Sequence, residues 1–174
     1  MKLFKGLLLA TGILLPNSLT ADSLTLLGLG VTYHGLINKG AVKSMKNKID
    51  KNGKFAKHLK EVGLLYRKEY LQVGGVYLKD CFDGHAGMLY GGPKVDVYGR
   101  YVSVGGIVGA YIRESVSGAS LPLLMKPSKD IDLVPMAAVT ASALVPVTAK
   151  VGLELNVMGN FFVNHATVGL RYDF

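Results

Sequence analysis

The C-terminal stretch VNHATVGLRYDF, residues 163–174, decides the fold. Its apolar side chains recur at every second position and end on an aromatic residue, in the series Ala166, Val168, Leu170, Tyr172 and Phe174. The positions between them are polar or small, in the series His165, Thr167, Gly169, Arg171 and Asp173. Because successive side chains of a β-strand point to opposite faces, this stretch predicts a strand with one apolar face and one polar face.

The same alternation recurs along the chain and predicts eight strands, at residues 24–37, 61–69, 71–80, 86–98, 101–114, 132–143, 147–157 and 163–174. Short and long connections alternate between them, as in outer-membrane barrels. A strand that faces lipid must join a closed sheet, since hydrocarbon satisfies no backbone hydrogen bonds. The sequence therefore predicts an all-β fold, an eight-stranded antiparallel transmembrane β-barrel of the bacterial outer membrane. Phe174 at the end, with Tyr172 before it, is typical of such barrels, and we expect the outer-membrane assembly machinery to insert this one as a monomer.

The N-terminus resembles a cleaved secretory signal peptide. Lys2 and Lys5 precede an apolar segment at residues 6–16, which is too short to span a bilayer. Small and polar residues follow, and cleavage is expected after Ala21. We therefore expect residues 1–21 to be a signal peptide and residues 22–174 to form one barrel domain; a short membrane anchor is the alternative for the first segment.

The net charge of +8 is concentrated in one segment. Residues 39–60 contain eight lysines, opposed only by Asp50. Such a segment is a solvated loop or an anion-binding surface. In an exported chain the expected anions are lipid phosphates rather than nucleic acid, and the candidate contacts are Lys39, Lys43, Lys46 and Lys48. The single cysteine allows no internal disulfide, and no histidine spacing suggests a metal site.

The positions that the alternation directs into the barrel are small or apolar, namely Gly28, Gly30, Gly74, Val76, Leu78, Gly105 and Ile107. A water-filled lumen would be polar, and eight strands are too few to enclose one. These residues either leave room for an apolar ligand or simply fill a narrow barrel, and the alternation alone leaves both interpretations open.

Three stretches resemble the lipid A palmitoyltransferase (PagP-like) family of outer-membrane enzymes. They are residues 32–34 (TYH) in the first predicted strand, residues 77–81 (YLKDC) at the end of the third, and residues 133–150 with Pro135 and Pro146. The resemblance covers the whole predicted barrel in strand order and loop lengths. It implies a barrel that holds an acyl chain inside and transfers palmitate from a phospholipid to lipid A.

Residue by residue, His34 matches the family histidine and Asp80 the family aspartate, whereas Cys81 occupies the position of the family serine. By parity, His34 and Asp80 face inward at strand ends that lead into extracellular loops. A histidine there can accept a proton from an attacking hydroxyl group, and a carboxylate can orient the ring. Cys81 could supply a thiol nucleophile, or it could mark a barrel in which the reaction is lost.

The resemblance further implies that the small lumen residues form an acyl-chain pocket. Pro135 and Pro146 are expected to flank the connection between the sixth and seventh strands. Since proline donates no ladder hydrogen bond, they either permit a lateral lipid gate or simply occupy ordinary edge or turn positions. The expected function is acyl transfer to lipid A or a similar acceptor, without metal or soluble cofactor. A non-catalytic barrel that binds lipopolysaccharide or is structural is the alternative, and a lipid A deacylase is a third.

Overall fold

The computed structural model describes residues 22–34, 55–79, 85–115, 125, 130–160 and 163–174, with side chains for all of these except residues 34 and 55–60. The strands are β1 (Ser23–His34), β2 (Phe55–Lys68), β3 (Leu71–Lys79), β4 (His85–Tyr98), β5 (Val102–Glu114), β6 (Ile131–Pro146), β7 (Val151–Gly159) and β8 (Val163–Asp173). Each pairs antiparallel with the next, and β8 pairs with β1, so the sheet closes into a barrel. The prediction of an all-β, eight-stranded antiparallel barrel is confirmed. No helix within these described ranges is long and apolar enough to cross a membrane.

Side chains alternate between the lumen and the outer surface, as the sequence pattern predicts. In β7, Glu154 and Asn156 are buried while Leu155 between them is exposed. In β8, Arg171 is buried while Tyr172 is exposed. Because the sheet is closed, every strand pairs with a neighbour on both sides. Barrels avoid exposing unpaired backbone groups in this way.

The outer surface of the barrel is apolar. Its exposed aliphatic side chains come from every strand and include Leu26, Leu64, Val73, Leu89, Val108, Val139, Leu155 and Leu170. Most exposed aromatic side chains gather around one end of the cylinder, namely Tyr66, Tyr70, Tyr98, Tyr101, Tyr172 and Phe174, whereas Tyr77 is exposed towards the other end. We call the group at the first end the aromatic girdle.

The two ends of the cylinder differ in their connections. The girdle end carries the tight turns after β2, β4 and β6, and we call it the turn end. Two residues in these turns have left-handed backbone conformations, Glu69 with φ of 46° and Gly99 with φ of 49°. Glycine adopts that conformation without steric cost, whereas glutamate does not. The connections after β1, β3, β5 and β7 leave the opposite end, which we call the loop end.

The main differences from the predicted strand boundaries are at the start of β2, the end of β6 and the start of β7. β2 begins at Phe55, inside the lysine-rich segment expected to be loop, and β6 continues to Pro146. Residues 147–150, expected to open β7, form a turn instead, because the Thr148 hydroxyl accepts hydrogen bonds from the backbone N–H groups of Lys150 and Val151. This side-chain turn competes with strand pairing even though Val147 and Ala149 continue the apolar alternation.

The lumen is filled in layers. A polar layer near the turn end contains Thr25, Arg67, Ser103, Glu154, Asn156 and Arg171. An apolar layer follows, with Leu27, Leu65, Val76, Tyr90, Ile107 and Met158. Towards the loop end the lumen becomes polar again, with Thr32, Glu61 and His165 on one side and the Arg113–Asp132 ion pair on the other.

Candidate functional site

Three buried polar side chains meet at the loop end of the lumen. Thr32 on β1, Glu61 on β2 and His165 on β8 are only 7%, 6% and 5% exposed, and we call them the lumen triad. Nδ1 of His165 lies 2.9 Å from the Thr32 hydroxyl oxygen. Nε2 of the same ring lies 3.1 Å from Oε1 of Glu61. The imidazole therefore lies between a hydroxyl group and a carboxylate, in contact with both.

Strand register brings the triad together. Thr32 and His165 are directly opposite each other in the β1–β8 pairing, and both point into the lumen. Glu61 enters where the register of β1 shifts between Gly28 and Gly30. Leu29, at the shift, has a left-handed backbone with φ of 42°. Bulges of this kind re-aim side chains and occur often beside functional sites.

Gly30 makes room for the triad. A Cβ atom added at this position would overlap the carboxylate of Glu61 and the ring of His165. Gly30 lies inward as the sequence predicts, but the side chains beside it belong to the protein itself. The glycine therefore permits close approach of a carboxylate and an imidazole to the β1 backbone.

The chemistry of the triad depends on the tautomer of His165. If Nε2 carries the proton, it donates to Glu61, and Nδ1 accepts the hydrogen bond of the Thr32 hydroxyl. In the described part of the chain, Oε2 of Glu61 is buried without a hydrogen-bond partner. A buried carboxylate oxygen in that condition requires an explanation, since buried polar atoms are as a rule satisfied.

The predicted catalytic residues fall largely outside the described part of the structure. The backbone of His34 is opposite Val163 at the loop end, but its side chain is not described. Asp80 and Cys81 lie outside the described residues, as do the phosphate-contact candidates Lys39, Lys43, Lys46 and Lys48. Within the described residues, no three His, Cys, Asp or Glu side chains form a group that could hold a metal ion.

The predicted acyl-chain pocket is only partly placed as expected. Gly30, Gly74, Val76, Leu78, Gly105 and Ile107 all lie on inward-facing positions. Gly28 does not: it is opposite the outward-facing Val62 and Val168, because the register shift after it changes the parity of the strand. The inward assignment of Gly28 was therefore wrong.

Side chains of the protein occupy the space beside the inward glycines. A Cβ atom at Gly74 would overlap the ring of Tyr90, which is itself buried. One at Gly105 would meet the side chains of Gln72 and Thr140. An acyl chain could enter this part of the lumen only if Tyr90 moved, so the pocket remains a prediction.

Only one of the two prolines lies beside the β6–β7 connection as predicted. Pro146 ends β6 beside the turn to β7, but Pro135 lies near the start of β6, at the loop end, opposite Ala110. It therefore does not flank the β6–β7 connection. β7 pairs with β6 only from Val139 onward, and Leu133 exchanges backbone hydrogen bonds with Met125 on that side. By alternation, the missing N–H of Pro135 faces the edge beyond β7, where it interrupts no described strand pairing.

Glu61 and His165 did not figure as catalytic candidates in the sequence. The parity of β2 offered a signal, since it places Glu61 on the same inward side as Arg67. Their proximity, however, joins residues 104 positions apart through a barrel closure and a register shift. No local sequence pattern predicts a contact of this kind.

Comparison with known proteins yields structural likeness only. No protein-family model and no curated protein sequence matches the chain. The chain is similar to Ail, the attachment invasion locus protein of Yersinia pestis, as solved in complex with the heparin analogue sucrose octasulfate. The identity is 14% and the TM-score 0.45, and the match covers 88% of this chain and 99% of Ail. The chain is also similar to the Y. pestis outer membrane protein Ail in a phospholipid bilayer nanodisc, at 16% identity and a TM-score of 0.42. That match covers 88% of this chain and 99% of the other. The de novo designed protein TMB2.3 is similar at 14% identity and a TM-score of 0.44. That match covers 88% of this chain and 94% of the other.

Proposed function

We propose that this chain is an integral protein of the bacterial outer membrane whose lumen is closed by its own side chains. The observation that carries the proposal is the apolar outer surface of a closed barrel. Apolar surface left in water costs about 25 cal/mol per Å², whereas hydrocarbon accepts it, and a closed barrel leaves no backbone group unpaired there. The aromatic girdle corresponds to the belt that such barrels place at a membrane interface.

The filled lumen favours a role other than that of a diffusion pore. Arg67, Glu154 and Arg171 form ion pairs across the polar layer, and Tyr90 lies among the apolar side chains above it. An eight-stranded barrel is just wide enough for side chains to fill. Activity is therefore expected at the loop end or on the lipid-facing surface.

Folding the full chain into phospholipid vesicles tests this proposal. We expect a β-type far-ultraviolet spectrum, a band that shifts on gels after heating, and no leakage of a small trapped solute. A folded protein that stays in solution without lipid or detergent would contradict membrane insertion. Rapid leakage of the solute would contradict the closed lumen.

Acyl transfer from phospholipid to lipid A is a second, finer candidate. It is supported by the resemblance of residues 32–34 and 77–81 to the lipid A palmitoyltransferase family. β1 ends at His34 and β3 ends at Lys79, the residue before Asp80 in the sequence, and both strands end at the loop end. In this candidate His34 is the general base, Asp80 orients it, and Cys81 occupies the third position.

Mass spectrometry of lipid A tests this candidate in an outer-membrane host that lacks its own palmitoyltransferase. We expect added palmitate with the wild-type chain and none with His34→Ala or Asp80→Ala at equal surface levels. Cys81→Ser should retain transfer if a hydroxyl suffices at that position. No added acyl chain with the wild type would favour the non-catalytic, lipopolysaccharide-binding alternative.

In that alternative, phospholipid and lipid A remain the partners and Lys39, Lys43, Lys46 and Lys48 contact the phosphates. Replacing these four lysines with glutamine should weaken lipopolysaccharide binding, most strongly at low salt, because exposed charges are screened over about 8 Å at physiological ionic strength. Unchanged binding at low salt would exclude this role for the four lysines.

A further inference from the structure

We propose that the lumen triad is a second reactive site, in which Thr32 is the nucleophile, His165 its general base and Glu61 the group that orients His165, acting on fatty acyl esters. The proposal rests on the proposed membrane location, because that location is what brings acyl esters to the loop end. It does not rest on transfer to lipid A or on His34, Asp80 and Cys81.

The geometry matches the roles that a hydroxyl nucleophile requires. The Thr32 oxygen and Nδ1 of His165 are 2.9 Å apart, and Nε2 and Glu61 Oε1 are 3.1 Å apart. Both distances allow direct proton transfer or hydrogen bonding. A triad is recognised by geometry and roles rather than by sequence order. Here Nδ1 faces the hydroxyl and Nε2 the carboxylate, and each imidazole nitrogen can fill either role.

Two further features set this cluster apart from an ordinary buried polar network. Within the described residues, Oε2 of Glu61 is buried and unpartnered, and the Cβ position of Gly30 lies against that oxygen. The β1 backbone beside it carries the left-handed Leu29 and the register shift. Left-handed non-glycine residues and unsatisfied buried groups both concentrate at functional sites. The polar layer at the turn end also contains unpartnered buried atoms among the described residues, Nε of Arg67 and Nδ2 of Asn156. Its carboxylate, however, has both oxygens of Glu154 hydrogen-bonded.

The reaction proceeds in two balanced steps. The Thr32 oxygen attacks the ester carbonyl carbon while His165 takes the hydroxyl proton. The bond from carbonyl carbon to alkoxy oxygen then breaks, and His165 returns the proton to the departing alcohol. Water attacks the resulting acyl-Thr32 ester by the same route, releasing a carboxylic acid and restoring the Thr32 hydroxyl. Glu61 holds the ring and stabilises the imidazolium in both steps.

An alkyl fluorophosphonate tests the nucleophile directly, since a reactive hydroxyl displaces its fluoride and keeps the phosphonyl group. The full chain, folded in detergent micelles, is treated with the probe, digested and mapped by mass spectrometry. We expect the label on Thr32, and turnover of p-nitrophenyl palmitate by the unlabelled protein. Thr32→Ser should retain both, whereas Thr32→Val and His165→Gln should each lower turnover by about 100-fold or more. Ser103→Ala is the matched control, because Ser103 is a buried lumen hydroxyl paired only with Ser142 in the described structure.

Heat-shift gels on the same samples separate this proposal from the membrane proposal. Barrels that fold and insert normally but show neither label nor turnover would overturn the reactive site and leave the membrane proposal intact. A label on Cys81 with turnover unaffected by Thr32→Val would overturn it as well. If His165→Gln fails to fold, Glu61→Gln supplies the test: a lower kcat at unchanged KM supports the site, and unchanged turnover contradicts it.

Discussion

Nη1 of Arg67 lies 2.7 Å from both carboxylate oxygens of Glu154, across the lumen from β2 to β7. β1 and β8 lie between these two strands in the closed sheet, so the ion pair crosses the lumen. The Thr25 hydroxyl and Arg171 also bind Glu154, which is fully buried. The polar layer is thus built around one carboxylate and two guanidinium groups.

Replacing Glu154 with glutamine should strongly destabilise the barrel. The change leaves two buried arginines without their shared carboxylate, and removing one partner of a buried ion pair costs about 3–5 kcal/mol. Urea unfolding in vesicles measures the effect. Asp22→Asn is the control, since the Asp22–Lys68 contact is exposed and 4.0 Å long and such pairs contribute about 0–1 kcal/mol. Equal stability of Glu154→Gln and the wild type would show that the network carries little of the folding energy.

Replacing Gly30 with alanine should disturb the lumen triad, because the new methyl group would overlap Glu61 and His165. We expect a lower heat-shift temperature and loss of fluorophosphonate labelling at Thr32. Gly106→Ala is the matched control, since nothing lies within 4 Å of a Cβ atom there. If the two variants behave alike, the close approach at Gly30 is not important for the triad.

An arginine at Val168 should impair insertion. Val168 is exposed midway along β8, and arginine on the lipid face near the midplane costs about 2–4 kcal/mol in outer-membrane barrels. Val147, equally aliphatic but in the turn after β6, is the control for arginine substitution. The folded fraction in vesicles should fall for Val168→Arg and change little for Val147→Arg. The reverse order would contradict the assignment of the girdle end to the interface.

Deletion of Phe174 should lower the amount of assembled barrel in cells. Its ring makes an edge contact with Tyr172 at 5.3 Å between centroids, and its backbone N–H donates to the carbonyl of Asp22, joining the two ends of the described chain. Surface levels relative to total protein measure assembly. Normal surface levels of the truncated chain would show that Phe174 is not needed for insertion.

The sequence predicted the strands and their faces because alternation is a local property. β8 and β3 match the prediction nearly to the residue, and Gly74, Val76 and Ile107 face inward as expected. The errors have non-local or side-chain causes. The register shift at Leu29 turned Gly28 outward, and the Thr148 hydroxyl converted the expected start of β7 into a turn. The lumen triad depends on the pairing of β1 with β8 that closes the barrel. The pattern within a single strand does not predict that pairing.

Lipid-dependent quenching along β8 tests directly whether the outer surface of the barrel faces lipid. Single cysteines at residues 166–172, in a Cys81→Ser chain folded into vesicles, carry a fluorophore, and brominated lipids act as the quencher. We expect strong quenching at residues 166, 168, 170 and 172 and weak quenching at residues 167, 169 and 171. Uniform quenching, or none, in a folded sample would contradict a barrel that faces lipid outside and its own side chains inside.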